Sequence, residues 1–158
     1  MEKDFSVVII GLGNDYRRDD GVGLYAARRI RSQELPGVRV VEGVSDGTSL
    51  IDHWEQADSA YVIDAVRSDS DPGTILRFDA LSDPVPVDIF PAYSSHAFNI
   101  AEAVALAREL GKLPRSLIVY GIEGREFSTG MGLSSDVKEA AEEVSRRIVA
   151  EMGIRRPH

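Results

Sequence analysis

The chain has 158 residues, with 43% hydrophobic and 28% charged side chains, which suits one globular domain large enough to bury a core. A net charge of −8 and a pI near 4.9 argue against a sequence-independent grip on nucleic-acid backbones. The absence of cysteine removes disulfides, thiolate metal sites and a thiol nucleophile.

The opening "MEKDFSVVII" carries early acids and too short an apolar run for a signal peptide, and no segment reaches the length of a membrane span. A cytoplasmic protein without membrane association is the expectation. Residues 5–10 form a near-continuous apolar strand, as in a sheet covered on both faces. "GLGNDYRRDDGVG" follows at 11–23, and residues 22–30 are helical, with Val22, Tyr25, Ala26 and Ile30 inward and Arg28 and Arg29 outward. Pro36-Gly37 stops that helix before a second strand at 38–41. Residues 48–56 read as a short helix with Leu50, Ile51 and Trp54 on one side, and "AYVIDAV" at 60–66 as a third strand.

Asp71-Pro72-Gly73 is a turn and 74–78 an edge strand. Three prolines, Pro84, Pro86 and Pro91, make 82–93 a long loop of the kind that calls for a function. Residues 97–110 are helical, with Ile100, Ala101, Val104 and Ala105 inward. The fifth strand is 117–120, "GIEGREFSTGMGLSS" is irregular, and a helix over 136–152 closes the chain, leaving "GIRRPH" to fray. The alternation of strands and helices predicts a three-layer α/β domain: a twisted, mostly parallel five-stranded sheet flanked by helices on both faces. One domain spans 1–158, with an ordered core over about 5–152.

The glycine-rich stretch is not a nucleotide loop. A dinucleotide fingerprint needs a third glycine where Tyr16 stands, and a Walker loop needs a lysine that is missing. Asp19 and Asp20 at a helix start could act as caps favoured by the macrodipole, but one carboxylate suffices for that. The second would rather meet a cation. Asp64 ends an apolar strand, and ligands of open α/β sheets gather outside the carboxyl ends of strands where the chain order reverses; a turn cap is the structural alternative. His96, one of three histidines, lies where the proline-rich loop meets a helix. Two carboxylates and an imidazole would make an incomplete coordination sphere with room for water or substrate.

"GLGNDYRRDDGVG", "AYVIDAV", the Ser-x-His before a helix and "YGIEGREFSTGMGLS" occur in one order, and together they resemble the nickel–iron hydrogenase maturation endopeptidases over residues 6–150. The resemblance implies a mixed, mostly parallel sheet and a metal site on Asp20, Asp64 and His96, with Asp20 and Asp64 as the candidate catalytic acids. "SDGTS" resembles a segment near the family's cleft, which sets Asp46, Gly47 and Thr48 on the substrate-binding wall. It also implies removal of a C-terminal peptide from a hydrogenase large-subunit precursor after nickel insertion, by a monomer. Nickel, delivered by the substrate, would be the recognition signal, and another divalent ion could occupy the same ligands.

Two departures stand out: the residues around His96 differ from the family's Ser-Pro-His-Gln form, and the stretch 14–18 is more polar and basic than the usual filling. Arg17 and Arg18 would meet solvent or an acidic partner surface. The rival chemistry is an aspartic mechanism in which two carboxylates share a proton. Rival functions are a nickel-checking chaperone that binds the precursor without cutting it, and a peptidyl-tRNA-hydrolase-like esterase suggested by "GLGN". The latter fails because the following stretch carries no histidine and the chain is acidic.

Overall fold

The computed structural model describes residues 6–44, 46–91 and 99–155. Strand β1 (Val7–Gly11) leads through a 3-10 turn (Arg18–Gly21) into α1 (Val22–Arg31), followed by β2 (Val38–Glu42) and α2 (Gly47–Glu55). Then come β3 (Ser59–Val66), β4 (Ile75–Asp79), α3 (Ile100–Leu110), β5 (Ser116–Glu123) and α4 (Ser135–Arg155). The sheet order is β2-β1-β3-β5-β4, with every neighbouring pair parallel except β4–β5. This is the expected five-stranded, mostly parallel α/β sheet, with the 74–78 segment on its edge.

Side chains alternate across β1, β3 and β5, so each strand feeds two cores. Val8, Ile10, Val62, Leu117 and Val119 meet α2 and α3, with Trp54 wholly buried among them. Its indole Nε1 donates to the Lys112 carbonyl at 3.2 Å, which satisfies the one polar atom that this burial would otherwise strand. Ile9, Tyr61, Ile63, Ile118, Tyr120 and Ile122 form the other core with α1 and α4.

Four details differ from the expectation. Ala105 is exposed, and Ala103 and Ala107 take the inward positions of α3. That helix starts at Ile100, where Asn99 closes a capping box with Glu102, and stops at Gly111 in the left-handed conformation (φ 68°). β5 continues to Glu123, because β3 and β4 pair with it on both sides and supply the hydrogen bonds that "GIE" lacks locally. α4 persists through Arg155, three residues past its expected end.

The chain runs one way from β1 to β2 and the other way to β3, so the order reverses between β1 and β3. A crevice at the carboxyl ends of these two strands is where a ligand belongs in this architecture.

Candidate active site

The glycines of the first motif serve the fold. A Cβ on Gly23 would stand 2.2 Å from the Ile63 carbonyl oxygen and 2.5 Å from that of Leu12. One on Gly11 would lie 2.5 Å from the Gly23 carbonyl oxygen. These residues let the start of α1 press directly onto β1 and β3. Leu12 then donates its N–H to Ile63 at 3.0 Å, continuing the ladder one residue beyond β1. Gly13 (φ 133°) turns the chain so tightly that a Cβ would sit 1.9 Å from the Asp20 carbonyl oxygen.

The two adjacent aspartates do different work, and neither side chain caps a helix: the 3-10 turn and α1 start at Arg17 and Gly21 without a side-chain cap bond. Asp19 is wholly buried and accepts four hydrogen bonds. Oδ2 takes the N–H groups of Arg125 (2.8 Å) and Glu126 (2.9 Å) and the Ser134 hydroxyl (2.8 Å), while Oδ1 takes the Ser134 N–H at 2.8 Å. This carboxylate clasps the second glycine-rich segment against the first. Backbone bonds from Arg18 to Gly130 (3.0 Å) and from Gly130 to Tyr16 (2.8 Å) zip the same two loops together.

Asp20 is buried too, at 7% exposure, but carries no such set of donors. Burial pushes its carboxyl above the ordinary value, against the opposing pull of Arg17, a backbone hydrogen bond from Asn14 and Arg67. A carboxyl held this way inside a crevice is a group poised to keep a proton or exchange it for a cation.

Asp64 is fully buried on β3. Gly11 pairs with Ile63, the last β1–β3 pair, so Asp64 lies one step past the point where β1 leaves the sheet. On its other side it pairs with Gly121 of β5, whose missing side chain makes room for Val66: a Cβ there would lie 2.7 Å from Val66 Cγ1. Asp64 Oδ1 accepts the N–H of Ala65 at 2.8 Å, which fixes the carboxylate plane. By alternation Asp64 shares the face of Val62 and Val66, the face covered by α2 and α3. The 3-10 turn bearing Asp20 packs against β3, the strand that carries Asp64, beside the switch point.

His96 lies outside the described residues. Before it in the chain, Ile89 is tied to the residue just after β3: Arg67 donates its N–H to the Ile89 carbonyl at 2.8 Å. Asn99 Nδ2 donates to the carbonyls of Val87 (2.9 Å) and Phe90 (3.3 Å). Among the described residues no group of three His, Cys, Asp or Glu side chains is arranged to hold a metal. Asp46 caps α2, accepting from the Ser49 N–H at 2.8 Å and the Ser49 hydroxyl at 3.1 Å. With Gly47 and the exposed Thr48 it forms the first turn of α2, after the carboxyl end of β2 and at the same end of the sheet.

Sequence reasoning missed Arg67. Its guanidinium lies 4.0 Å above the Phe127 ring centroid, just past the carboxyl end of β3. The signal was present in "AYVIDAVRS", where the first cation after an apolar strand stands three residues beyond the candidate acid.

The hydrogenase maturation protease family, HycI, matches residues 25–151. The hydrogenase expression/formation protein HoxM of Azotobacter vinelandii is 32% identical over 158 residues, spanning 94% of this chain and 74% of that protein. The [NiFe] hydrogenase maturation protease HybD from Thermococcus kodakarensis superposes with a TM-score of 0.69 at 27% identity, over 94% of this chain and 99% of that one. The hydrogenase maturating endopeptidase HybD from E. coli shares the fold, with a TM-score of 0.74 at 18% identity over 94% and 92% of the two chains. Among the described residues no helix is long and apolar enough to cross a membrane.

Proposed function

Because the chain belongs to the hydrogenase maturation protease family and is therefore a peptidase, we propose that it is the endopeptidase that trims a nickel-loaded [NiFe]-hydrogenase large-subunit precursor. The bond cut releases a C-terminal peptide and activates the subunit. One observation supports this site above all: of the adjacent acids Asp19 and Asp20, Asp19 is consumed by four hydrogen bonds, whereas Asp20 is buried without such a set of donors.

Nickel enters as part of the substrate. Asp20, Asp64 and His96 supply the carboxylate and imidazole donors that a divalent nickel ion accepts, and an under-coordinated set suits an ion that arrives with ligands of its own. Such an ion would hold the scissile carbonyl in place and polarise it, or activate a water. The protein's own part is proton management. Where the ion does not occupy it, Asp20, raised above its ordinary value by burial, is suited to take a proton from the attacking water, with Asp64 the alternative base.

The test is to incubate the protein with a nickel-loaded precursor and weigh the large subunit by mass spectrometry. Shortening is expected, and it should require nickel in the precursor. Capture without shortening would convert the assignment to a nickel-checking chaperone. His96→Ala should weaken nickel-dependent capture without altering the fold, and unchanged processing by that variant would remove His96 from the site.

A further inference from the structure

Arg67 is the part of this crevice that the peptidase chemistry leaves unused. The chain is acidic overall, and its arginines are mostly committed: Arg28 and Arg31 to Glu42, Arg77 to Glu151, Arg125 to Asp136. Arg67 forms no ion pair among the described residues. The nearby carboxylate of Glu123 is occupied instead by Ser68, which donates its N–H at 3.0 Å and its hydroxyl at 2.5 Å. Asp19 is spent on the neighbouring loop.

Arg67 is also held in place. Its own N–H is bonded to Ile89 and its neighbour Ser68 to Glu123, so the backbone at this point is fixed on two sides. Phe127 supports one face of the guanidinium at 4.0 Å. Stacking of this kind holds the plane and leaves the in-plane N–H fork open, the arrangement that binds a carboxylate through two parallel hydrogen bonds. The side chain is exposed and lines an open pocket of about 420 Å³ together with Arg125, Ser128 and the acids Asp69, Glu123 and Glu126. A lysine would offer a point charge without the fork.

We propose that Arg67, three residues beyond Asp64 and stacked on Phe127, is a substrate-positioning residue that anchors a carboxylate of the client's C-terminal peptide. The carboxylate belongs either to an acidic side chain of that peptide or to its free C-terminus. The inference rests on the endopeptidase reading for the identity of the client.

The test compares wild type with Arg67→Ala, Arg67→Gln and Arg67→Lys, each checked for an unchanged melting temperature. Capture of nickel-loaded precursor is measured at low salt, and cleavage is followed in the same samples. Three precursors are used: one with the native extension, one with every Asp and Glu of the extension amidated by substitution, and one whose terminus is displaced by a neutral Gly-Ser tail. Arg67→Ala and Arg67→Gln should weaken capture of the native precursor on the order of tenfold, with partial recovery in Arg67→Lys. One altered precursor should bind wild type as weakly as the native precursor binds Arg67→Ala, and so identify which carboxylate is read.

Native-like capture and cleavage by Arg67→Ala and Arg67→Gln would overturn the inference while leaving the peptidase intact. An Arg67 effect that persists undiminished against both altered precursors would also overturn it. If wild type captures but never cuts, the endopeptidase reading falls and the capture data still decide the role of Arg67. A wild type that neither captures nor cuts refutes both.

Discussion

Asp19→Ala isolates the clasp between the two glycine-rich loops. The substitution removes the acceptor for three backbone N–H groups and one hydroxyl, at 2.8–2.9 Å. Each hydrogen bond to a charged group contributes roughly 1.5–3 kcal/mol. The four do not simply add, since the part-buried donors regain some water and the cost of burying the carboxylate disappears. Leaving these neutral donors part-buried without their acceptor costs about 3–5 kcal/mol in all. For a chain of this length that corresponds to a fall in Tm of about 6–20 °C. Asp19→Asn should cost less, about 1–3 kcal/mol, because the amide oxygen can keep the Oδ2 donors while its NH2 opposes the Ser134 N–H. Denaturant unfolding gives the free energies. Hydrogen exchange should show selective loss of protection at Arg125, Glu126 and Ser134. A cost below about 1 kcal/mol for Asp19→Ala, or unchanged exchange at those three amides, would refute the clasp.

Asp20→Asn should behave in the opposite way. Burial raises the folded-state pKa of Asp20 above its ordinary value of 3.8, so its ionisation costs stability as pH rises through the folded value. The variant should melt at or above wild type at pH 7, lose that advantage in acid, and fail to process precursor; a lower Tm at pH 7 would contradict the assignment. Gly23→Ala gains about 1 kcal/mol in helix propensity, yet its methyl would meet two backbone oxygens at 2.2 and 2.5 Å. A net loss of at least about 3 kcal/mol is expected by calorimetry, and a neutral result would mean that α1 is not pressed onto β3. Glu42 is held below its ordinary value of 4.5, first by the Arg28 hydrogen bond and further by Arg31. Its contribution is therefore present above pH 4.5 and lost as pH falls through the folded value. Because both arginines are nearly half exposed, Glu42→Gln should cost only about 0.5–1 kcal/mol at pH 7 and nothing in strong acid. A pH-independent cost would rule out the ion pairs as its source.

The sequence by itself determined the order and type of the elements, because these follow from local forces. Apolar β-branched runs at β1 and β3 cannot face water on either side. Leu50, Ile51 and Trp54 recur at helical spacing, and Pro36-Gly37 stops α1. The glycine-rich stretch was also legible as something other than a phosphate loop, through Tyr16 and the missing lysine. Asp20 and Asp64 could be singled out because strand ends and charge are visible along the chain.

What the sequence left open was the division of labour between Asp19 and Asp20. Adjacent and chemically identical, they carry the same local signal. Their difference comes from Arg125, Glu126 and Ser134, as many as 115 residues away in the chain. The extension of β5 to Glu123 and the exposure of Ala105 depend in the same way on which neighbours cover them. So does the placement of Arg67 over Phe127 rather than in an ion pair. Tertiary structure decided these points because burial and charge partnership are properties of the space around a side chain. That space is assembled only when distant segments have packed.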